Sequence, residues 1–211
     1  MRLRVFAAVL MFAGLGLAAQ ADVTNPNFSP ATEGYGVVPG WTGTPETGSL
    51  TYNTNLQWNN GTLPAGDTTV GFIQQDGSFT TTLGGLTPGQ TYTLSFLDNS
   101  RDLTGDNCCN ATPSLTVLVG GATLSGPTPV MSVGNPNMFS SVSEDFIAGA
   151  TSETLEFLST TPGDADGTLL LSDVHVVPAT VAATPEPSSL MLLGTGILGA
   201  AGMVRRRFIR S

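Results

Sequence analysis

The chain has 211 residues, contains no lysine and carries a formal net charge of −9 at pH 7. The charge is unevenly placed: between residues 22 and 183 a single base, Arg101, stands against fifteen acids, a net charge of −14. A surface of that sign repels phosphate backbones and excludes nucleic acid as a partner. It suits divalent cations or neutral polysaccharide, or serves only to keep the protein soluble.

The first 21 residues have the three parts of an export signal. Arg2 and Arg4 form a positive start, Val5 to Ala18 an apolar run, and Ala19-Gln20-Ala21 an A-x-A cleavage site. Cleavage there makes Asp22 the first residue of the mature chain.

From residue 22 onward no stretch repeats apolar residues at helical spacing. Short β-branched and aromatic runs alternate with turn clusters, which predicts an all-β sandwich or barrel. No repeat of solenoid or propeller length occurs. The expected strands are 23–28, a short one at 38–42, then 49–52, 69–74 and 78–83, with Asp76-Gly77 as a tight hairpin turn. Next comes Leu83-Gly84-Gly85-Leu86-Thr87-Pro88-Gly89-Gln90, in which Pro88-Gly89 suits a type II turn. After it Tyr92, Leu94 and Phe96 alternate with Thr91, Thr93 and Ser95, so one face is buried and one is wet. Further strands are expected at 114–119, 122–125, 139–147, 154–158 and 168–177.

The opening Asn25-Pro26-Asn27-Phe28, the segment Val38-Pro39-Gly40-Trp41, the Leu83–Phe96 hairpin and the closing Asp166–Val176 strand together resemble galactose-binding-domain-like jelly rolls. The resemblance spans residues 24–178 and implies an antiparallel β-sandwich over 22–178. Many carbohydrate-binding modules share that fold, although fold alone does not give function. It also implies a structural Ca2+ between the first loop and the last strand, where Asn27 and Asp173 are the matching positions. Ser29 stands where the family has a Glu after the N-terminal Phe.

Several residues invite chemistry of their own. Cys108 and Cys109 are adjacent, and in an exported chain they are expected to pair with each other. That disulfide closes a strained ring with a flat apolar face able to stack on a sugar. A plain loop staple, an intermolecular bridge and metal binding are the alternatives. Asp98, Asp102 and Asp106, and again Asp164, Asp166 and Asp173, make oxygen-rich loops of the kind calcium takes, or simply solvated loops. Tyr35, Trp41, Tyr52 and Trp58 are the aromatics available as a sugar platform. Trp41 reads as core, whereas Trp58 with Asn59 lies among amides in a loop and is the foremost candidate for carbohydrate contact. His175 is the only histidine; it shares a strand with Asp173, and no nucleophile elbow accompanies it, so the chain is not expected to be an enzyme.

After a short extended linker at 179–184 come Pro185-Glu186-Pro187, an uncharged apolar run from Leu190 to Val204, and Arg205, Arg206, Arg207 and Arg210. At about 1.5 Å per residue the run makes roughly 23 Å of transmembrane helix, short of the ~30 Å hydrocarbon core. Ser188, Ser189 and snorkelling Arg stems make up part of the shortfall. The Arg cluster keeps the C-terminus cytoplasmic and the preceding chain outside. Residues 185–211 resemble the PEP-CTERM sorting signal of Gram-negative bacteria, which implies exosortase, a membrane transpeptidase-like enzyme, as a partner acting near Pro-Glu-Pro. A plain anchor that is never cut is the alternative. The whole reads as an exported protein: a precursor tethered to the inner membrane, then a protein of the outer surface or extracellular (biofilm) matrix. There it is expected to bind exopolysaccharide, or to be a structural or adhesive matrix protein with no small ligand.

Overall fold

The computed structural model describes residues 21–30, 32–51, 61–101, 111–134, 137–163 and 166–179. The chain divides into two units, Met1–Pro178 and Ala179–Ser211, and the strands below belong to the first. The export signal up to Gln20, the linker beyond Ala179 and the whole of 185–211 lie outside the described residues.

Among the described residues the regular structure is entirely β. The strands are β1 (Gly34–Tyr35), β2 (Thr42–Gly43), β3 (Thr47–Thr51), β4 (Thr69–Gln74), β5 (Gly77–Leu83), β6 (Thr91–Ser100), β7 (Ser114–Val119), β8 (Ala122–Pro129), β9 (Ser140–Ile147), β10 (Glu153–Thr160) and β11 (Thr168–Pro178). They pair antiparallel in two sheets, a six-stranded one ordered β1-β3-β4-β11-β6-β9 and a five-stranded one ordered β2-β5-β10-β7-β8. This is the expected jelly-roll sandwich.

The period-two pattern of side chains builds its core. Phe79 and Leu83 of β5, Tyr92, Leu94 and Phe96 of β6, Leu115 and Val117 of β7, and Leu155 and Phe157 of β10 all point between the sheets and are buried. In β11 the phase changes: Leu169 and Leu171 face this core, and so do Val174 and Val176. A bulge between Ser172 and His175, with Asp173 at φ 55°, takes up the odd residue. Without it the second half of β11 would turn its valines to solvent. A second, smaller core of Leu63, Val70, Phe72, Leu97, Phe139 and Leu170 covers the outer face of the six-stranded sheet. The segments that close over it are joined where Thr62 N donates to Asn137 O and Phe139 N to Thr62 O.

Three expectations are corrected. Residues 23–28 form no strand; apart from a single bridge between Asp22 and Gly84 they turn, with Asn25 at φ 59° and Phe28 at φ 52°. The Asn25 side chain holds that turn, accepting from Ser29 N and donating to Ser29 O and Pro39 O. Asn commonly makes such local bonds and tolerates the left-handed region. Second, the strand expected at 38–42 shrinks to Thr42–Gly43. Third, Asp76-Gly77 is not a hairpin turn, because β4 and β5 belong to different sheets. Gln75 at φ 57° turns the chain across the sandwich, and Asp76 Oδ1 accepts from Thr161 N to hold it there. The link from β5 to β6 crosses between sheets too, yet its Thr87–Gln90 turn has the expected form: Gly89 sits at φ 82° and Gln90 N donates to Thr87 O. Turn chemistry sets local geometry; it does not say which sheet receives the next strand.

Candidate functional site

Two places on the six-stranded sheet bring sequence-predicted residues together. The first is the outer face at the end where β4 finishes and β11 begins. Tyr35 on the edge strand β1 pairs with Gly48, Gly48 with Phe72, and Phe72 with Leu170, so these four form one row across the sheet. Tyr35 is 56% exposed while Phe72 beneath it is buried. Their ring centroids are 5.0 Å apart and the rings are nearly perpendicular. A Cβ on Gly48 would lie 2.0 Å from Gly34 O and 2.6 Å from the Phe72 ring, so only glycine lets β1 approach this closely.

Polar side chains surround that ring. Gln74 Nε2 donates to Asp166 Oδ1 at 2.5 Å, and Arg101 Nη1 stands 3.6 Å from Asp166 Oδ2. Both carboxylate oxygens of Asp166 are thus engaged, and Arg101, the one base of residues 22–183, is nine-tenths buried. Burial and then the Asp166 charge raise the Tyr35 phenol above its ordinary pKa, with Glu46 adding to this and Arg101 opposing it. The hydroxyl therefore stays a neutral donor and acceptor.

The second place is the bulge of β11. The Asn25–Phe28 turn is fastened to it where Val174 N donates to Pro26 O, and to β4 where Thr69 Oγ1 donates to Asn27 O. Asn27 Nδ2 donates to Asp67 Oδ1 at 3.0 Å, while Asn27 Oδ1 is buried and has no hydrogen-bond partner. Burial and the neighbouring Asp173 charge raise the Asp67 carboxyl, against the lowering influence of His175 and of the Asn27 bond. His175 Nε2 lies 2.6 Å from Asp173 Oδ1, and the ring is half exposed. The hydroxyl of neighbouring Ser172 is buried and donates to Thr69 O, on the other strand.

Hard oxygen donors are what a calcium ion takes, and Asn27 Oδ1, left without a donor, fits that need. Among the described residues no three acids, histidines or cysteines gather closely enough to hold a metal by themselves. Any cation here would depend on amide and backbone oxygens as well.

Of the residues singled out from sequence, Asn27 and Asp173 meet at one corner, with Asp67 between them in effect. Asp67 was missed because forty residues separate it from Asn27 and no local motif marks it. Trp41 is core, as expected, and among the described residues Tyr35 is the exposed aromatic; Tyr52 lies outside them. Trp58 and Asn59 lie in 52–60, Cys108 and Cys109 in 102–110, all outside the described residues, as does the sorting motif Pro185, Glu186, Pro187, Arg205, Arg206 and Arg207. The described residues on either side of both segments border the outer face: Thr51 ends β3 and Gly61 lies beside Asn99, while Arg101 and Ala111 stand at the Asp166 end beside Gly167 and Thr168.

Fold and face together define a jelly-roll sandwich with an exposed aromatic on one sheet. Residues 183–207 match the PEP-CTERM protein-sorting motif. Comparison with curated proteins gave no match. Among solved structures the chain is similar to TmCBM61 in complex with β-1,4-galactotriose, at 12% identity over 73% of this chain and 95% of that one, TM-score 0.45. It is also similar to the CBM22-1 xylan-binding domain of Paenibacillus barcinonensis Xyn10C, at 13% identity over 68% and 88%, TM-score 0.44. A CBM4 structure gives 14% identity over 74% and 99%, TM-score 0.43.

Proposed function

We propose that this is an exported protein, sorted by an exosortase-type enzyme through Pro185, Glu186, Pro187 and Arg205–Arg207, whose sandwich binds a neutral polysaccharide of the extracellular matrix. The observation that carries the binding reading is Tyr35: a ring more than half exposed, seated on buried Phe72 and bordered by Gln74, Asp166 and Glu46. An exposed ring offers a stacking surface to a pyranose, and neighbouring amide and carboxylate groups offer hydrogen bonds to its hydroxyls. Arg101, the one base of residues 22–183, is buried and pairs with Asp166, and the remaining charge around the ring is acidic, which disfavours a uronate. On affinity gels cast with a panel of neutral and acidic polysaccharides, the wild type is expected to be retarded by a neutral one. Tyr35→Ala should weaken that binding at least tenfold and Tyr35→Phe much less, since stacking survives without the hydroxyl. No retardation on any polysaccharide overturns the reading in favour of a structural matrix protein, and equal retardation of Tyr35→Ala overturns Tyr35 as the binding residue.

Calcium, where it binds, belongs at the β11 bulge, held by Asn27 Oδ1, Asp67 and Asp173. In this reading Asp67 supplies the carboxylate that Ser29 does not. The ion's chemistry is structural: it ties the first turn to the last strand. Adding calcium to the chelated protein is then expected to raise Tm progressively with concentration, as any ligand of the folded state does. Asp173→Asn should remove the effect and Asp67→Asn reduce it. A wild-type Tm indifferent to calcium and chelator rules the ion out.

A further inference from the structure

Beside the row of Phe72 and Leu170 stands a buried hydroxyl that no hydrogen bond accounts for. Thr168, which opens β11, lies directly opposite Gln74, which closes β4. Gln75 N donates to Gly167 O, so 75 and 167 are a hydrogen-bonded pair. By the alternation of an antiparallel ladder, 74 and 168 are then a non-hydrogen-bonded pair, the kind whose side chains stand closer. Their Cβ atoms share one face of the sheet, about 4.5–5.5 Å apart. Thr168 is fully buried and its Oγ1 has no hydrogen-bond partner, a costly state for a hydroxyl. Across from it the Gln74 amide is held by a carboxylate. Its Nε2 donates to Asp166 Oδ1, Arg101 Nη1 stands beside Asp166 Oδ2, and Arg101 N donates to Thr168 O. A hydroxyl shut away from water, an amide opposite it and a carboxylate on the amide nitrogen are the parts of an acyl transfer.

We propose that Thr168 and Gln74 join in an intramolecular ester that staples β4 to β11. Thr168 Oγ1 attacks Gln74 Cδ, and its proton passes to the Asp166 carboxylate. The Cδ–Nε2 bond then breaks, and the nitrogen takes up that proton and leaves as ammonia. One C–O bond forms and one C–N bond breaks, with no oxidant, metal or further reactant. Ammonia escapes to solvent and is protonated there, which draws the exchange forward. The burial of Thr168 keeps away the water that would hydrolyse the ester. A Cβ–Cγ–Cδ–Oγ1–Cβ bridge is the right length for a non-hydrogen-bonded pair. Because β4 and β11 are neighbours in the middle of the six-stranded sheet, the staple closes a long loop of chain and restricts the unfolded state. The ester stands independently of the glycan reading. Its carbonyl remains an acceptor near Tyr35, and the departure of ammonia releases Asp166 Oδ1.

Mass spectrometry of the full chain tests this. The folded protein is purified, denatured and digested, and its peptides are weighed. In the wild type the peptides that contain Gln74 and Thr168 are expected to appear joined, lighter than their sum by one ammonia. Neutral hydroxylamine, which cleaves esters and spares amides, should separate them and leave Gln74 as a hydroxamate. Thr168→Val should abolish the joined peptide and Thr168→Ser should keep it. Asp166→Asn should slow its appearance about tenfold or more, as the loss of a proton-transfer group does. The wild-type masses decide the matter by themselves, so the test does not depend on a variant that folds. Separate peptides of unaltered mass from the folded wild type overturn the proposal, and so does a joined peptide that persists in Thr168→Val. An unchanged rate in Asp166→Asn overturns the role given to Asp166.

Discussion

Replacing Trp41 with alanine is expected to cost the fold about 3–5 kcal/mol, the range for emptying an aromatic site in a packed core. Trp41 is 5% exposed and its ring stacks on Phe28 at 4.5 Å, with Phe79 and Phe157 each 5.9 Å away. Its Nε1 donates to Asn25 O, the backbone of the turn that carries Asn27. The loss therefore has two parts, a cavity between the sheets and a freed turn. A single domain has only about 5–15 kcal/mol of net stability, so the variant should unfold at much lower denaturant. Trp41→Phe keeps most of the stacking and gives up the indole bond, and its cost should be clearly smaller. Denaturant melts of the three proteins check this. A Trp41→Ala midpoint within error of wild type would show that the ring does not belong to the core.

The second large effect is a pH dependence that runs opposite to ordinary acid denaturation. Asp98 lies near the end of β6 between Leu171 and Ser140, is 7% exposed, and burial pushes its carboxyl up to about 6. In the unfolded chain an aspartate titrates near 3.9. Between those values the folded protein holds a proton that the unfolded chain has lost, so stability falls as pH rises from about 4 to 6. The full difference is roughly 3 kcal/mol at 1.36 kcal/mol per pKa unit. It is present below the unfolded value and gone above pH 6. Asp67, also raised, acts in the same direction. Asp98→Asn should be more stable than wild type at pH 7, and much of the slope between pH 4 and 6 should vanish. Thermal melts across that range decide it: a wild type with no such slope, or a variant with the same slope, defeats the assignment.

Much of the fold was legible because it is written in period two. The alternation of Tyr92, Leu94 and Phe96, and the length of the closing strand, need no tertiary information to read. The Pro88-Gly89 turn was legible for the same reason, since only the local preferences of two residues are involved. The Asp76-Gly77 turn was not, because a turn between sheets and a turn within one use the same residues. What separates them is which strands β4 and β5 pair with, β3 and β11 in one sheet and β2 and β10 in the other.

The site divides along the same line. Asn27 and Asp173 were singled out by their place in a motif, whereas Asp67 bonds Asn27 only through folding, which closes a forty-residue gap. Trp41 and Tyr35 are both aromatics beside glycine. One became core and the other surface because Trp41 lies between the sheets, whereas Tyr35 is on a two-residue edge strand with solvent on one side.

By itself, then, the amino-acid sequence determined the strand periodicity, the acidic surface and the sorting motif, since each depends on residue type and near neighbours alone. The tertiary structure decided which sheet each strand joins, which aromatic is exposed, and that Thr168 stands opposite Gln74. Those depend on contacts between residues far apart in the chain, and such contacts exist only once the two sheets have packed.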